Sequence, residues 1–506
     1  MNINKDIEGD TMKFVSTRGK SNERAESAYA IKCGLAKDGG LFMPEAIPAL
    51  DTLELSALRS KTYEERAAYV IGKFLTDYTY EELTEDANAA YSKEKFGNFP
   101  APVYKVDEKI SALELWHGPT SAFKDMALQI MPRLFVRALR KTGEEREALI
   151  LVATSGDTGK AALEGYKDVK GTKIQVFYPT DGVSTVQKMQ MQTQEGINVS
   201  VKAIRGNFDD AQNGVKRIFA DKKMAERLNE KNTFLSSANS INWGRLVPQI
   251  VYYVSAYLDM VNSGEIDFGD YIDVCVPTGN FGNIFAAYIA KLMGLKIDKL
   301  ICASNVNNVL TDFLATGTYD KNRKFHSTIS PSMDILISSN LERLLYLAAG
   351  QEETASYMEK LKDDGKYTVR EDVFKKISDS FIGIFTDEEE TKATIKKTYE
   401  NKNYLIDTHT AVAMAAAEKY ISTYKAERKV LVVSTASPYK FAKDVYTSLK
   451  GTENAPSDIA ALTELSSLTG TDIPKPLKSV IAKKILHPDI IEKEDMDNAV
   501  VGFVTL

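Results

Sequence analysis

The feature that most constrains this chain is a series of short apolar, β-rich runs, each followed by a turn and then a helical segment. Between about residues 100 and 320 the runs read ALELW, ALILVAT, KIQVFYP, NVSVKAI, YIDVCVP and KLICAS. One more, KVLVVSTAS, comes late at 429–437. The intervening segments carry apolar residues at helical spacing, such as Phe285, Tyr288, Ile289 and Leu292. Strands apolar on both faces must be covered on both faces, and intervening helices let successive strands run parallel. The fold class read from this pattern is α/β, with parallel sheets flanked by helices. In such open sheets, ligands bind outside the carboxyl ends of the strands.

At 506 residues the chain exceeds what one hydrophobic core usually supports. Residues 1–100 read as a mainly helical N-terminal domain, with turns at Gly34, Gly39, Gly40, Pro44 and Pro48 and one short strand at MKFVST. Residues 101–320 form the α/β domain, 321–428 an inserted, Lys-rich helical subdomain, and 429–506 the final strand with a C-terminal tail. Residues 1–11, just before Met12, read as an extension or a mis-assigned start. The N-terminal domain and the insertion are candidates for a lid over a reactive site.

Composition excludes several classes of function. Sixty-four Lys and Arg against seventy Asp and Glu leave a net charge of −6, which gives no support to nucleic-acid or anionic-membrane binding. No apolar run has the length of a membrane span. Cys33, Cys275 and Cys302 are scattered with no CxxC pair, so neither a disulfide framework nor a metal cluster is expected, and a reducing compartment fits. The N-terminus has no signal-peptide core. The expectation is a cytoplasmic protein, monomer or homodimer, with a small-molecule substrate.

Four motifs sit at strand ends: HGPTSAFKD, TSGDTG, PTGNFGN and STASP. The fold would gather them into one cleft. In PTGNFGN, at 277–283, Gly279 and Gly282 allow a tight turn and close ligand approach, and the helix that follows offers its amides to an anion. A plain strand-to-helix turn would read the same. In TSGDTG, Ser155, Thr158 and the amides of Gly156 and Asp157 could hold a carboxylate or phosphate, or merely cap a helix. Lys124 lies in the first turns of an amphipathic helix beside its buried face, marked by Phe123, Ala127, Ile130, Met131 and Leu134. A Lys desolvated there becomes a usable amine, although a single Lys more often snorkels to solvent. A hydroxyl from Thr435 or Ser437 could overhang the strand ends or cap the helix near Pro438.

Taken in order, the early Lys, the SGDTG loop 31 residues later (124 to 155), the Gly-rich loop and the late Ser/Thr resemble the tryptophan-synthase-β-like, fold-type-II pyridoxal-phosphate enzymes. MKFVSTRG at 12–19, LAKDGGLFMPE at 35–45, HGPTSAFKDMALQ at 117–129, NSINWGRLVPQIVYY at 239–253 and DTHTAVA at 407–413 narrow the likeness. Collinear over nearly the whole chain, they resemble the threonine synthase family, in its long subgroup from fungi and many bacteria.

The resemblance implies a lyase of amino-acid biosynthesis that converts O-phospho-L-homoserine and water to L-threonine and phosphate. It implies pyridoxal phosphate bonded to Lys124 beside Phe123, with its phosphate on the backbone of Gly279, Asn280, Phe281, Gly282 and Asn283. Thr435 matches the hydroxyl at the pyridine nitrogen. Ser155, Gly156, Asp157 and Thr158 would take the substrate's α-carboxylate. Many relatives have Asn where Asp157 stands, so this charge must be offset or turned away. The substrate phosphate needs a second anion site, for which Arg245 with Asn242, Lys188 and Arg18 are candidates. His117 and His409 are candidates for proton transfer, or for structural hydrogen bonds. The rivals are a sister dehydratase, a phospho-lyase releasing 2-oxobutyrate, and a non-enzymatic scaffold. STRG and DGGLF weigh against the first, and the intact cofactor set weighs against the last.

Overall fold

The computed structural model describes residues 11–21, 23–154, 156–181, 183–452 and 454–505. Two parallel sheets organise it. The larger has six strands in the order Phe381–Phe385, Ile297–Ser304, Ile272–Pro277, Val430–Ser434, Ile110–Glu114 and Val103–Lys105. All pairings are parallel except the last, where Val103–Lys105 runs antiparallel along one edge. The smaller sheet has five parallel strands in the order Ile490–Ile491, Val199–Ile204, Thr172–Pro179, Glu147–Ala153 and Thr233–Ser236. The α/β class is as the alternating runs imply.

The two sheets run across the expected domain bounds. Residues 321–428 are not a separate helical body: Phe381–Phe385 joins the large sheet beside Ile297–Ser304. Helix Thr408–Tyr424 buries Ala411, Val412, Ala413 and Met414, in one cluster with Cys275, Val430 and Val432 of that sheet. The C-terminal stretch is likewise more than a tail. Ile490–Ile491 adds a strand to the small sheet, and Met496, Val500 and Phe503 pack with Leu149, Leu151 and Phe177 beneath it. The strand Val430–Ser434 sits inside the large sheet, between strands that precede it by more than 150 residues. Residues 1–10, most of the supposed extension, lie outside the described residues.

The first hundred residues carry a three-stranded antiparallel sheet, Arg24–Ala25, Phe14–Ser16 and Phe42–Pro44, and several helices. Helices Tyr63–Gly72 and Tyr80–Ala90 start on reciprocal caps, Thr62 with Glu65 and Thr79 with Glu82, which satisfy the free first-turn amides. This region has no core of its own. Phe14, Ile31, Phe42 and Phe74 share one apolar cluster with Ile150 and Val176 of the small sheet and Val274 and Val433 of the large one. The joint is Trp243, fully buried at the head of helix Trp243–Asn262, with Phe14 and Phe74 at 5.4 and 5.5 Å between ring centres.

Candidate active site

The four motif-bearing turns converge. The loop before Lys124 is stitched to the turn after Val430–Ser434: the Phe123 amide donates to the Thr435 carbonyl at 2.8 Å and the Ser437 amide to the Ser121 carbonyl at 3.1 Å. Ser121 takes a left-handed backbone (φ 59°) to make this turn. Inside the loop, the Asp125 carboxylate accepts from the Thr120 amide and hydroxyl, both at 2.7 Å. Burial pushes this carboxyl up to about 7 against those bonds. The helix expected to run through Lys124 is short, Asp125–Leu128, and restarts at Met131–Lys141. Pro132 has no amide hydrogen to continue the first helix and suits the opening turn of the second.

The Lys124 amine ends in the cleft, 3.3 Å from the Ser332 hydroxyl and 3.8 Å from Asp157 Oδ2. Its side chain is only 11% exposed. Burial lowers it from the usual 10.5 to about 8; Arg245 and Lys440 push the same way, and Asp157 pulls against them. Such an amine is partly free base near neutral pH, the condition for proton transfer.

Asp157 is the first residue of helix Asp157–Tyr166, behind Gly156, whose φ of 146° and close approach to Gln187 exclude a side chain. Its Oδ1 accepts from Lys440 Nζ at 2.7 Å and Gln187 Nε2 at 2.9 Å. Burial alone would raise this carboxyl, but Lys440 and Lys124 outweigh it and hold Asp157 well below the usual carboxylate range. The charge that needed offsetting is thus offset, and an anionic Asp157 side chain would repel a second carboxylate. Thr158 lies half-buried in the first turn of the helix, and Ser155 lies outside the described residues.

The third turn runs from strand Ile272–Pro277 into helix Gly282–Leu292. Its carbonyls are tied from behind: Gly279 O accepts from the Ser338 hydroxyl at 2.7 Å, and Asn280 O from the Asn340 side chain and amide at 3.0 and 3.1 Å. In a planar trans peptide the next N–H points opposite the carbonyl, so the amides of Asn280 and Phe281 face away from these anchors. Phe281 is left-handed (φ 63°) and buried. A Cβ on Gly279 would stand 2.5 Å from the Ser332 carbonyl. Asn283 Oδ1 accepts from the Tyr253 hydroxyl at 2.6 Å and the Tyr252 hydroxyl at 2.5 Å, while its buried Nδ2 has no partner among the described residues.

Of the cations and amides expected around a second anion, Arg245 is the fully buried cation free of a carboxylate. It is buried, it donates to the Ala238 carbonyl at 2.8 Å, and it has no carboxylate in ion-pair range among the described residues. Burial lowers it to about 10, which leaves it charged at neutral pH. Of the other three, Asn242 and Arg18 are engaged elsewhere, and Lys188, half-buried, holds only a carbonyl. Both ends of the Asn242 amide are used, on the Gly244 amide and the Ile31 carbonyl, each at 2.8 Å. Arg18 grips Glu342 with two bonds of 2.9 Å, in a fork whose geometry matches a carboxylate. Lys188 donates to the Thr180 carbonyl.

The histidines have structural bonds. His409 pairs with Asp407 at 2.8 Å through Nδ1 and accepts the Ser332 amide at 3.1 Å through Nε2, which fixes it as the neutral Nδ1–H tautomer. His117 is 2.7 Å from Glu114 and stacks on Trp116.

Reading the sequence missed Lys440, Ser332, Asn340 and Arg343. Lys440 stands inside the STASPYKF stretch, where a Lys directly after a buried strand end was the available signal. Arg343 is wholly buried and bonds Asn340, the Phe42 carbonyl and the Ile241 carbonyl. It thereby ties the Gly-rich turn to the N-terminal region.

This set suits a phosphorylated aldehyde cofactor. A buried amine stands beside Ser332, whose carbonyl packs against Gly279, and the unpartnered Asn283 Nδ2 sits at the helix start where an anion is favoured. Thr435, expected beside the cofactor, is buried at the end of the neighbouring strand. Comparison with known proteins names the class directly: residues 99–436 match the family described as pyridoxal-phosphate dependent enzyme. Residues 13–91 match the threonine synthase N terminus and 410–480 the threonine synthase C-terminal family.

The chain is 37% identical to threonine synthase of Saccharomyces cerevisiae, over 87% of this chain and 90% of that protein. It superposes on the crystal structure of PLP-bound threonine synthase from Brucella melitensis with a TM-score of 0.86 at 35% identity, covering 98% of this chain and 100% of the other. It is also 40% identical to human threonine synthase-like 1, over 88% of this chain but 61% of that longer protein. The chain belongs to the threonine synthase family of pyridoxal-phosphate-dependent enzymes.

Proposed function

We propose that this chain is a threonine synthase, converting O-phospho-L-homoserine and water to L-threonine and phosphate at the end of threonine biosynthesis. The observation that carries the reading is the buried Lys124 amine between an anion-ready glycine turn and a buried arginine without a carboxylate partner among the described residues. Two separate phosphates, one on the cofactor and one on the substrate, call for two such anion subsites.

Lys124 is the bond-forming residue for pyridoxal phosphate, and the Gly279–Asn283 backbone with Asn283 Nδ2 holds the cofactor's phosphate. Thr435 takes the pyridine nitrogen and Phe123 flanks the site. When bound, the cofactor supplies an electron sink that acidifies the hydrogens on the substrate's Cα and Cβ. Lys124 takes and returns the protons at those carbons, helped by an amine whose burial keeps it partly deprotonated. Arg245 receives the substrate phosphate as it leaves Cγ, and a buried guanidinium gains more from an anion than an exposed one does. The backbone amides at Gly156 and Thr158, with Ser155, take the α-carboxylate, while the Asp157 side chain is turned to the lysines. Water then adds at Cβ.

Among the described residues no helix is long and apolar enough to cross a membrane. Three unpaired cysteines support a reducing, cytoplasmic setting. The test is to supply pyridoxal phosphate and O-phospho-L-homoserine and follow phosphate and threonine together. Equal release of both, lost in Lys124→Ala, is the expected result. Phosphate with 2-oxobutyrate would mean a phospho-lyase, and no turnover would remove the substrate assignment.

A further inference from the structure

Lys440 belongs to no expected set of site residues, yet it is among the most deeply buried charges in the molecule. Its side chain is 0% exposed. All three ammonium hydrogens have acceptors: Asp157 Oδ1 at 2.7 Å, the Thr120 carbonyl at 3.0 Å and Gln190 Oε1 at 3.1 Å. A saturated ammonium has no reason to swing toward a ligand, so Lys440 is a fixed charge. Taking it out of water costs several kcal/mol, at least roughly, which only a well-placed counter-ion offsets.

The counter-ion is shared asymmetrically. Lys440 and Gln187 both hold Oδ1 of Asp157, which leaves Oδ2 facing Lys124 at 3.8 Å. The supports come from three different elements. Gln187 and Gln190 stand on helix Thr185–Gln192, Lys440 follows strand Val430–Ser434, and Thr120 belongs to the loop that carries Lys124. The other charged groups acting on Lys124 are Arg245 and Asp125; His409 reaches it through Ser332 and is neutral.

We propose that Lys440 is a positioning residue for the Lys124 amine, holding one oxygen of Asp157 and sharing its charge, so that only the other oxygen and part of the carboxylate's pull reach Lys124. The arrangement keeps Asp157 paired whether or not Lys124 carries a proton. It also explains how an acid is tolerated where an amide would suffice: Lys440 removes the net charge that would otherwise face the substrate's carboxylate. The inference deepens the proposed activity, resting on Lys124 as the reacting amine.

The test uses the full chain freed of cofactor, with no substrate, so it is independent of which substrate is right. Competitive acetylation of Lys124 by acetic anhydride, read by peptide mass spectrometry from pH 6 to 11, gives the midpoint of its titration. Wild type is expected near pH 8. D157N removes the counter-ion and lowers the midpoint by about one unit or more. K440M frees Asp157 to pair with Lys124 alone and raises it by a similar amount, roughly tenfold slower labelling at a fixed pH. K440R restores the wild-type midpoint. A role limited to holding the fold would not move the midpoint in opposite directions. Unmoved midpoints in D157N and K440M, or a shift of the same sign in both, would overturn the proposal. If K440M does not fold, the near-isosteric D157N decides by itself: a midpoint at or above that of wild type refutes the pairing.

Discussion

Two turns of the same topology face the cleft: the one between strand Ile272–Pro277 and helix Gly282–Leu292, and the one between strand Glu147–Ala153 and helix Asp157–Tyr166. The first contains no charged side chain. Its carbonyls are pulled back by Ser338 and Asn340, and its amides are left for a ligand. The second places Asp157 on the helix N-terminus and surrounds it with Lys440, Gln187 and Lys124. A helix N-terminus favours negative charge in either case. Where the chain leaves that preference unmet, the turn is open to an external anion. Where the chain meets it with its own carboxylate, the turn becomes a fixed charge that sets the behaviour of a neighbouring amine.

Removing the amine that lies between the two turns should have the largest effect. Lys124→Ala is expected to lower turnover at least about 1,000-fold, measured by phosphate release, because covalent attachment and proton transfer are lost together. Gly279→Ala attacks the first turn alone. Its Cβ would press on the Ser332 carbonyl, and pyridoxal phosphate affinity should fall about 100-fold in a spectrophotometric titration, in line with overpacking costs of roughly 1–3 kcal/mol. Asn340→Ala loosens the same turn from behind. A weakening of about tenfold, some 1.4 kcal/mol, is expected in that titration, matching the loss of side-chain bonds to Asn280 and Arg343.

Arg18→Ala lies outside the comparison and sharpens it. With its fork on Glu342, Arg18 should contribute about 2 kcal/mol of stability, seen in urea unfolding, and leave KM for O-phospho-L-homoserine unchanged. A KM rise of tenfold or more would return it to the substrate site. The remaining effect is a pH trend. Burial sets the folded-state value of Lys124 below the usual 10.5, at about 8, so between those values the unfolded chain holds more protons and stability rises with pH. Cofactor-free Lys124→Met should therefore be more stable than wild type at pH 7.5, with the gap closing by pH 10.5.

Much of this was legible in the sequence, for a physical reason. Runs such as ILVA and DVCVP are apolar on both faces, and only a doubly covered parallel strand uses them. Strand ends then locate the cleft, and Lys124, the Gly279–Asn283 turn and Thr435 follow. In the two large sheets the strands that escaped, Val103–Lys105, Thr233–Ser236, Phe381–Phe385 and Ile490–Ile491, lie at the edges, where one side is unpaired and the apolar signal is weak. Strand order was not legible either, since no local periodicity could place Val430–Ser434 between Ile272–Pro277 and Ile110–Glu114. The polar partners failed for the same reason. Lys440 meets Asp157 across 283 positions (440 − 157), and Arg18 meets Glu342 across 324. Long-range ion pairs leave no spacing in the chain, so Arg18 read as a ligand residue and Lys440 drew no reading at all.

The most direct measurement of the central claim is turnover of O-phospho-L-homoserine in water enriched in oxygen-18, with both products examined by mass spectrometry. If phosphate departs from Cγ with its own oxygen and water adds at Cβ, the label enters the hydroxyl of threonine and phosphate stays unlabelled. Label in phosphate with homoserine as the other product would mean hydrolysis at phosphorus, and would contradict the roles given to Lys124 and the two facing turns.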